Sequence, residues 1–451
     1  MAAVAAALLA GCSTGTTSTD SESGTTDAST VTTTAASANT ADHDEPADHE
    51  WDPADEVPVT LTGDSAEVDG DGVSVENGTV TVTAAGTYLL SGTLTDGQLI
   101  VDTADSGIVR LVLDGVTVTS SVSSAVVVDN AEEVMIVLAD GSTNTLTDGA
   151  SYSLAGADVD GPSAAVFSTA DLTIAGDGAL TVVGNSNDGI AAKDGLVITG
   201  GDITVDAVDD GIRGKDYVVV EGGTLDVTAG GDGVKSDNDS DATLGYVSVA
   251  AGTLTVVAGG DGIDAATDVL VSGGELDVVA GGGSGGAIAE DVSAKGVKGT
   301  VSVLVSGGTL AVDAADDALH SNGAIEVSDG TLTLASGDDG AHADATLAIS
   351  GGEVTVTDAY EGLESADITI AGVTSPSRRA TTGSTSPAAR TAPVRWPQAT
   401  APPRPAARWP GVAAGVAATS SRPATTTSRS PAARSSSTRT GTALTPTAPS
   451  R

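Results

Sequence analysis

The chain has 451 residues and a formal net charge of −44, with 62 Asp and Glu against 18 Lys and Arg. Aromatic residues make up 2% and there are 58 Gly, a composition of short strands joined by glycine turns, not of helices. So acidic a body excludes nucleic acid and anionic membrane surfaces as partners and favours divalent cations. The charge is uneven: residues 1–373 hold 62 acids and 7 bases, whereas residues 374–451 hold 11 Arg and no acid. The single cysteine, Cys12, excludes an intrachain disulfide.

Residues 1–12 end in an apolar run and Cys12, within "LLAGCSTG". This resembles a bacterial lipoprotein lipobox, which implies cleavage before Cys12, acylation of its thiol and an extracellular protein lipid-anchored to the outer face of the cell membrane. No basic segment precedes the apolar run. No later stretch is long and apolar enough to span a bilayer. Residues 13–55, mostly Ser, Thr, Ala and Asp, read as a disordered tether. His43 and His49, in "DHDEPADHEW", are potential metal ligands but read as part of this solvated linker.

Residues 56–373 read as the folded domain. Strands begin near Val57 with loose spacing as far as about Ser151, and then a strict repeat sets in. A turn of an acid followed by Gly starts at Asp188, Asp210, Asp232, Asp261, the variant Lys295, Asp317, Asp339 and Glu361; five of the seven intervals are 22 residues. A period near 22 without helical pattern predicts stacked β-coils. Four apolar columns follow from the alignment. The first runs Leu196, Val218, Val247, Val269, Val303, Ile325, Leu347, and the second lies two residues on, from Ile198 to Ile349. The third runs from Ile203 to Val354 and the fourth from Val205 to Val356. Alternate residues of a strand point opposite ways, so these columns face one interior, and the Thr, Asp, Ser and Glu between them face water. The predicted fold is all-β, a parallel β-helix of about 22 residues per coil, taken as right-handed by analogy with most such folds.

The pattern breaks inside a coil after "ADITIAGV". Residues 374–451 read as a disordered basic Pro/Ala/Arg tail and, from codon degeneracy, as a frameshift product. Read from third bases, "SPSRRATTGSTSPAAR" admits strand residues, an acid-plus-Gly turn and Gly-Gly.

The acidic turns admit an architectural reading, in which Asp bonds backbone amides, Gly adopts positive φ and Ile or Val plugs the core. They also stack carboxylates about 5 Å apart, which repel by roughly 1 kcal/mol in water and about 3–4 at intermediate dielectric. Ca²⁺, with its flexible oxygen coordination, is the natural counter-charge. The candidate ligands are Asp209, Asp210, Asp232, Asp316, Asp317, Asp338 and Asp339, with Asp237, Asp239 and Asp241 at alternate positions of an inserted loop. Three residues after each acid lies a changing column: Ala191, Arg213, Lys235, Asp264, Lys298, His320, His342, Glu364. Its bases, with Lys193 and Lys215 beside it, either neutralise the Asp file or form a basic groove that grips carboxylates. The carbohydrate-binding candidates are accordingly Lys193, Arg213, Lys215, Lys235, Lys298, His320 and His342.

"NDGIAAKDGLVITGG", "DDGIRGKDYVVVEGGTLDVTAGGDGVKSDND", "SAKGVKG" and "DDALHSNG", with upstream "SGTLTDGQLIVDT" and "ADGSTNTLTDGASY", resemble a bacterial family of carbohydrate-binding β-helix lipoproteins. The resemblance covers roughly 57–373. It implies a right-handed parallel β-helix similar to pectate lyases, bound Ca²⁺, and binding of plant polysaccharides such as polygalacturonate or cellulose at the cell surface. A monomer is expected, though nothing in the sequence fixes the oligomeric state. A lyase acting by Ca²⁺-assisted β-elimination, with Arg213 as base, is the main alternative. A structural adhesin is another. An ice-binding face is disfavoured because Asp202, Asp226, Glu275, Asp277 and Glu353 interrupt the outward Thr columns.

Overall fold

The computed structural model describes residues 39–152, 161–289 and 292–371. Cys12 with the lipobox, residues 13–38 of the tether and the 374–451 tail lie outside the described residues. The described chain is all-β, with one short 3-10 turn at Pro53–Asp55. Its 32 strands belong to one sheet. Two hairpins at the start are antiparallel, Val57–Gly63 with Ala66–Val68 and Val73–Glu76 with Thr79–Val82. Every other strand pairing is parallel.

The strands recur in three rows, each strand bonded to its counterpart in the next repeat. Asp202–Ala207 pairs with Thr224–Ala229, which pairs with Thr253–Ala258 and that with Glu275–Ala280. Tyr217–Val220 pairs with Gly195–Ile198 and with Tyr246–Val249. The short Ile212–Gly214 strand pairs with Asp188–Ala192 and with Val234–Ser236. The apolar columns follow this register. Leu196, Val218, Val247, Val269, Val303, Ile325 and Leu347 stack in sequence and are all buried. Only at the last repeat do Val354 and Val356 become partly exposed.

Two expectations are corrected. Outward residues of the Tyr217–Val220 row do not all face water: Val197, Tyr217, Val219 and Tyr246 form a separate buried cluster. Part of the cover comes from residues 39–51, which pack on the sheet instead of standing in solvent. Ala41 lies on that cluster, and Trp51 lies on Val112, Met135, Val137 and Ala175.

The second correction concerns the glycine after each acid. Positive φ belongs to the second Gly of the Gly-Gly turns, as at Gly223 (φ 86°). Gly211, after Asp210, has ordinary φ. A Cβ there would stand 2.3 Å from Val227 Cγ1 and 2.6 Å from the Gly233 carbonyl oxygen, so close packing excludes a side chain. Gly189, Gly233, Gly262, Gly296 and Gly340 meet a Val methyl in the same way. One repeat has Ala318 in place of this Gly, and its companion in the Val column is Leu334. Leu carries no methyl on Cβ, so the clash is relieved.

Gly211→Ala is therefore expected to cost roughly 1–3 kcal/mol in urea unfolding. Gly211→Ala with Val227→Leu should be more stable than Gly211→Ala alone; strictly additive losses would contradict the packing account.

Candidate functional site

The acids at the head of the short strands form a file in which each carboxylate holds the next repeat. Asp188 Oδ1 accepts the Asp210 amide (3.3 Å), Asp210 Oδ1 the Asp232 amide (2.9 Å) and Asp232 Oδ1 the Asp261 amide (2.7 Å). Asp261 Oδ1 accepts the Lys295 amide (2.7 Å) and Asp317 Oδ1 the Asp339 amide (3.1 Å). Asp188, Asp210, Asp261, Asp317 and Asp339 are all buried. One oxygen of Asp188, Asp210, Asp232, Asp261 and Asp317 is spent on the backbone, and the other faces the neighbouring column; Asp339 Oδ1 accepts no such bond.

That column is continuous in register. Arg213 pairs with Lys235, then Asp264, Lys298, His320, His342 and Glu364 follow in turn. Its bases turn onto the acids. Arg213 bonds Asp237 and stands 3.6 Å from Asp188 Oδ2. Lys235 Nζ lies 2.7 Å from Asp232 and 3.3 Å from Asp210. Lys298 Nζ lies 3.0 Å from both Asp261 and Asp264. Lys295, standing where an acid is expected, reaches Asp316 and Asp317 of the next repeat. His320 Nδ1 is 2.8 Å from Asp317 Oδ2, His342 Nδ1 is 3.1 Å from Asp339 Oδ2, and the two imidazoles stack at 5.2 Å.

Lys193 and Lys215 stand outside this column. Lys193 lies 6.0 Å from the Phe167 ring centroid, and Lys215 is exposed. Sequence reasoning missed Phe167. It shares the register of the column through Ala191, but it precedes the strict repeat, so no spacing flagged it.

Electrostatics divides the file. Burial, then the nearby Asp210 charge, pushes the Asp188 carboxyl up to about 7. Burial and a hydrogen bond with Glu364 push Asp339 up to about 7. Burial also pushes on Asp317, but His320, Lys295 and the Asp339 amide outweigh it and hold that carboxyl below its ordinary value. Burial opposes the charge of Arg213, Lys235, Lys298 and His342, yet their carboxylate partners raise all four.

The candidate cation ligands separate into two groups. Asp316, Asp317 and Asp338 bring ligand atoms within 4.8 Å of one another, as do Asp339, Glu361 and Glu364, and Asp317, Asp339 and His342. Asp339 Oδ1 and Glu361 Oε2 are buried and have no hydrogen-bond partner among the described residues. Both orphaned atoms lie in the Asp339, Glu361 and Glu364 set, whose oxygens fit Ca²⁺, whereas Asp316 and Asp317 are paired with Lys295. Asp209, Asp210, Asp232, Asp237, Asp239 and Asp241 belong to no such group. Asp237 is taken by Arg213, Asp241 Oδ1 accepts from the Thr243 amide and hydroxyl, and Asn238 Oδ1 accepts the Ser240 and Asp241 amides. That loop is a self-bonded turn.

A carboxyl raised on folding keeps its proton in the folded chain when the unfolded chain has lost it, so its contribution to stability falls as pH rises from about 4 to about 7. Asp188→Asn is expected to flatten this part of the melting-temperature profile between those pH values. An unchanged slope would contradict the burial of a titrating Asp188.

The profile of the family described as carbohydrate-binding domain-containing protein matches residues 76–340. A curated relative of the same description from Acetivibrio thermocellus is 42% identical over 150 residues, 33% of this chain. Those residues cover 52% of the relative, so the chain spans about half the length of the curated relative it matches. The solved structure of a polysaccharide lyase-like protein from C. thermocellum, a gadolinium derivative, is 28% identical, with a TM-score of 0.43 over 70% of this chain and 99% of that one. With more than half of its residues matched by the profile, the chain belongs to the carbohydrate-binding domain-containing protein family.

Proposed function

We propose that the chain winds as a right-handed parallel β-helix and binds an acidic polysaccharide of the polygalacturonate class along its surface in a Ca²⁺-dependent way. The carrying observation is the unbroken register from Arg213 to Glu364. A polymer with a repeating unit laid across the strands meets hydrogen-bonding side chains about every 4.8 Å.

Ca²⁺ belongs at the end of the file where bases run out. Asp316 and Asp317 are already paired with Lys295, and Asp317 also with His320. Asp339, Glu361 and Glu364 are the residues to hold Ca²⁺. A bound Ca²⁺ would bridge these carboxylates to those of the glycan. Arg213, Lys235 and Lys298 do not line a free basic groove, because they are already paired with acids. Their role is to hold the acid file at low net charge and offer their remaining N–H groups to sugar oxygens. Cellulose, which carries no carboxylate, fits this arrangement less well.

The same pairing disfavours a lyase. Elimination needs a base that can lose its proton near the working pH, and Arg213 and Lys235 are both shifted the other way. Binding without turnover is the reading these residues support. Anchoring through Cys12 at the cell surface completes the proposal and rests on the lipobox-like sequence alone.

Binding to polygalacturonate in millimolar Ca²⁺, measured by calorimetry, should weaken about tenfold or more in EDTA and in the Glu361→Gln/Glu364→Gln variant. Affinity indifferent to both changes would end the Ca²⁺-bridged reading. Unsaturated product absorbing in the ultraviolet would revive the lyase.

A further inference from the structure

The segment from Asn39 to Trp51 lies across the sheet and touches strands far apart in sequence. Asn39 Nδ2 donates to Asp268 Oδ2 (2.8 Å), Tyr217 Oη donates to Asp42 Oδ1 (2.6 Å), and Arg110 Nε donates to the Asp48 carbonyl oxygen (2.6 Å). The His43 ring stacks on Tyr217 at 5.6 Å, and Tyr217 stacks on Tyr246 at 5.3 Å. This docking brings like charges together. Asp42, Asp44 and Asp48 on the segment come near Glu133, Asp171 and Asp194 of the sheet, and Arg110 is the one arginine or lysine paired with the segment among the described residues.

At the centre, His43 Nδ1 lies 3.3 Å from Asp171 Oδ1 and 2.6 Å from Tyr217 Oη. The His43 side chain is 5% exposed, and its Nε2 has no hydrogen-bond partner among the described residues. Tyr246 Oη and Asn39 Oδ1 are likewise buried without partners. Asp42, His43 and Asp171 each offer a ligand atom within 4.8 Å of the others.

We propose that Asp42, His43 and Asp171 form a site for a divalent transition cation of the Zn²⁺ class, which fastens residues 39–51 to the sheet. An imidazole with two carboxylates suits Zn²⁺, Co²⁺ or Mn²⁺ better than Ca²⁺, which takes oxygen ligands. Tyr217 Oη, which donates to Asp42 Oδ1, supplies the outer hydrogen bond that orients that carboxylate. A cation here neutralises the carboxylates that docking crowds together and joins two segments more than a hundred residues apart. The site shares no residue with the proposed Ca²⁺ cluster, so either can fail alone.

The test uses the full chain, stripped of metal and then saturated with Ca²⁺. Titration with Co²⁺ should raise a visible ligand-field band that saturates at one equivalent and is displaced by Zn²⁺. The band should be absent from His43→Gln and from Asp171→Asn but retained in His342→Gln, which tests the other imidazole-containing cluster. Zn²⁺ should also slow cleavage after Glu45 and Glu50 by a glutamate-specific protease about tenfold. No band in the Ca²⁺-saturated protein, a band that survives His43→Gln, one that follows His342, or cleavage insensitive to Zn²⁺ would each overturn the site.

Discussion

Parallel pairing in constant register places each residue over its own kind, and a buried carboxylate stacked on another needs hydrogen-bond donors and counter-charge. The acid file meets this demand with two devices. One oxygen takes the amide of the next repeat, as Asp210 does with Asp232. The other takes a base from the neighbouring column, as Asp210 does with Lys235. The glycine after the acid lets the two chains approach closely enough for the first bond, because a side chain at Gly211 would strike both Val227 and the next strand. Strand pairing, glycine and carboxylate are thus one structural unit.

The supply of bases along the file then grades its chemistry. Phe167 and Ala191 give it an apolar head, Arg213 to Lys298 a charge-compensated middle, His320 and His342 a stacked imidazole pair, and Glu364 an acidic end. Lys295 inverts one rung and serves Asp316 and Asp317 of the next. Orphaned oxygens stand upstream on Asp188 and Asp237, where Arg213 lies close to both carboxylates, and beyond Lys295 on Asp339 and Glu361. A cation-dependent contact with an anionic polymer fits this end, whereas the middle offers hydrogen bonds with little net charge.

What repeats was legible in the sequence. The 22-residue spacing gave the four core columns and the order from Ala191 to Glu364 without the structure, since both follow from stacking alone. What occurs once was not. The docking of residues 39–51 depends on contacts such as Asp42 with Tyr217, 175 residues apart, which leave no period to read. Their low-complexity composition resembled a linker, and the apolar Val197, Val219 and Leu270 that help receive them break the expected pattern of water-facing residues. Glycine was also misjudged. Its presence was obvious, but whether φ or close packing requires it is a matter of neighbouring atoms: Gly223 needs the first, Gly211 the second. Finally, the alternating Asp237, Asp239 and Asp241 had the spacing of a cation loop, yet Asp237 Oδ2 is taken by Arg213 and Asp241 Oδ1 by Thr243, and the three gather into no common cluster.

The central claim is that stacked aspartates at equivalent positions have unequal surroundings fixed by their partners. Carbon-detected nuclear magnetic resonance of the side-chain carboxyls across a pH series, in the absence of divalent cations, measures this directly. Asp188 and Asp339 are expected to titrate near 7, and Asp317 below the ordinary range of aspartate. A common midpoint near 4 for all three would mean that the carboxyls stand in water rather than in a buried, amide-capped file.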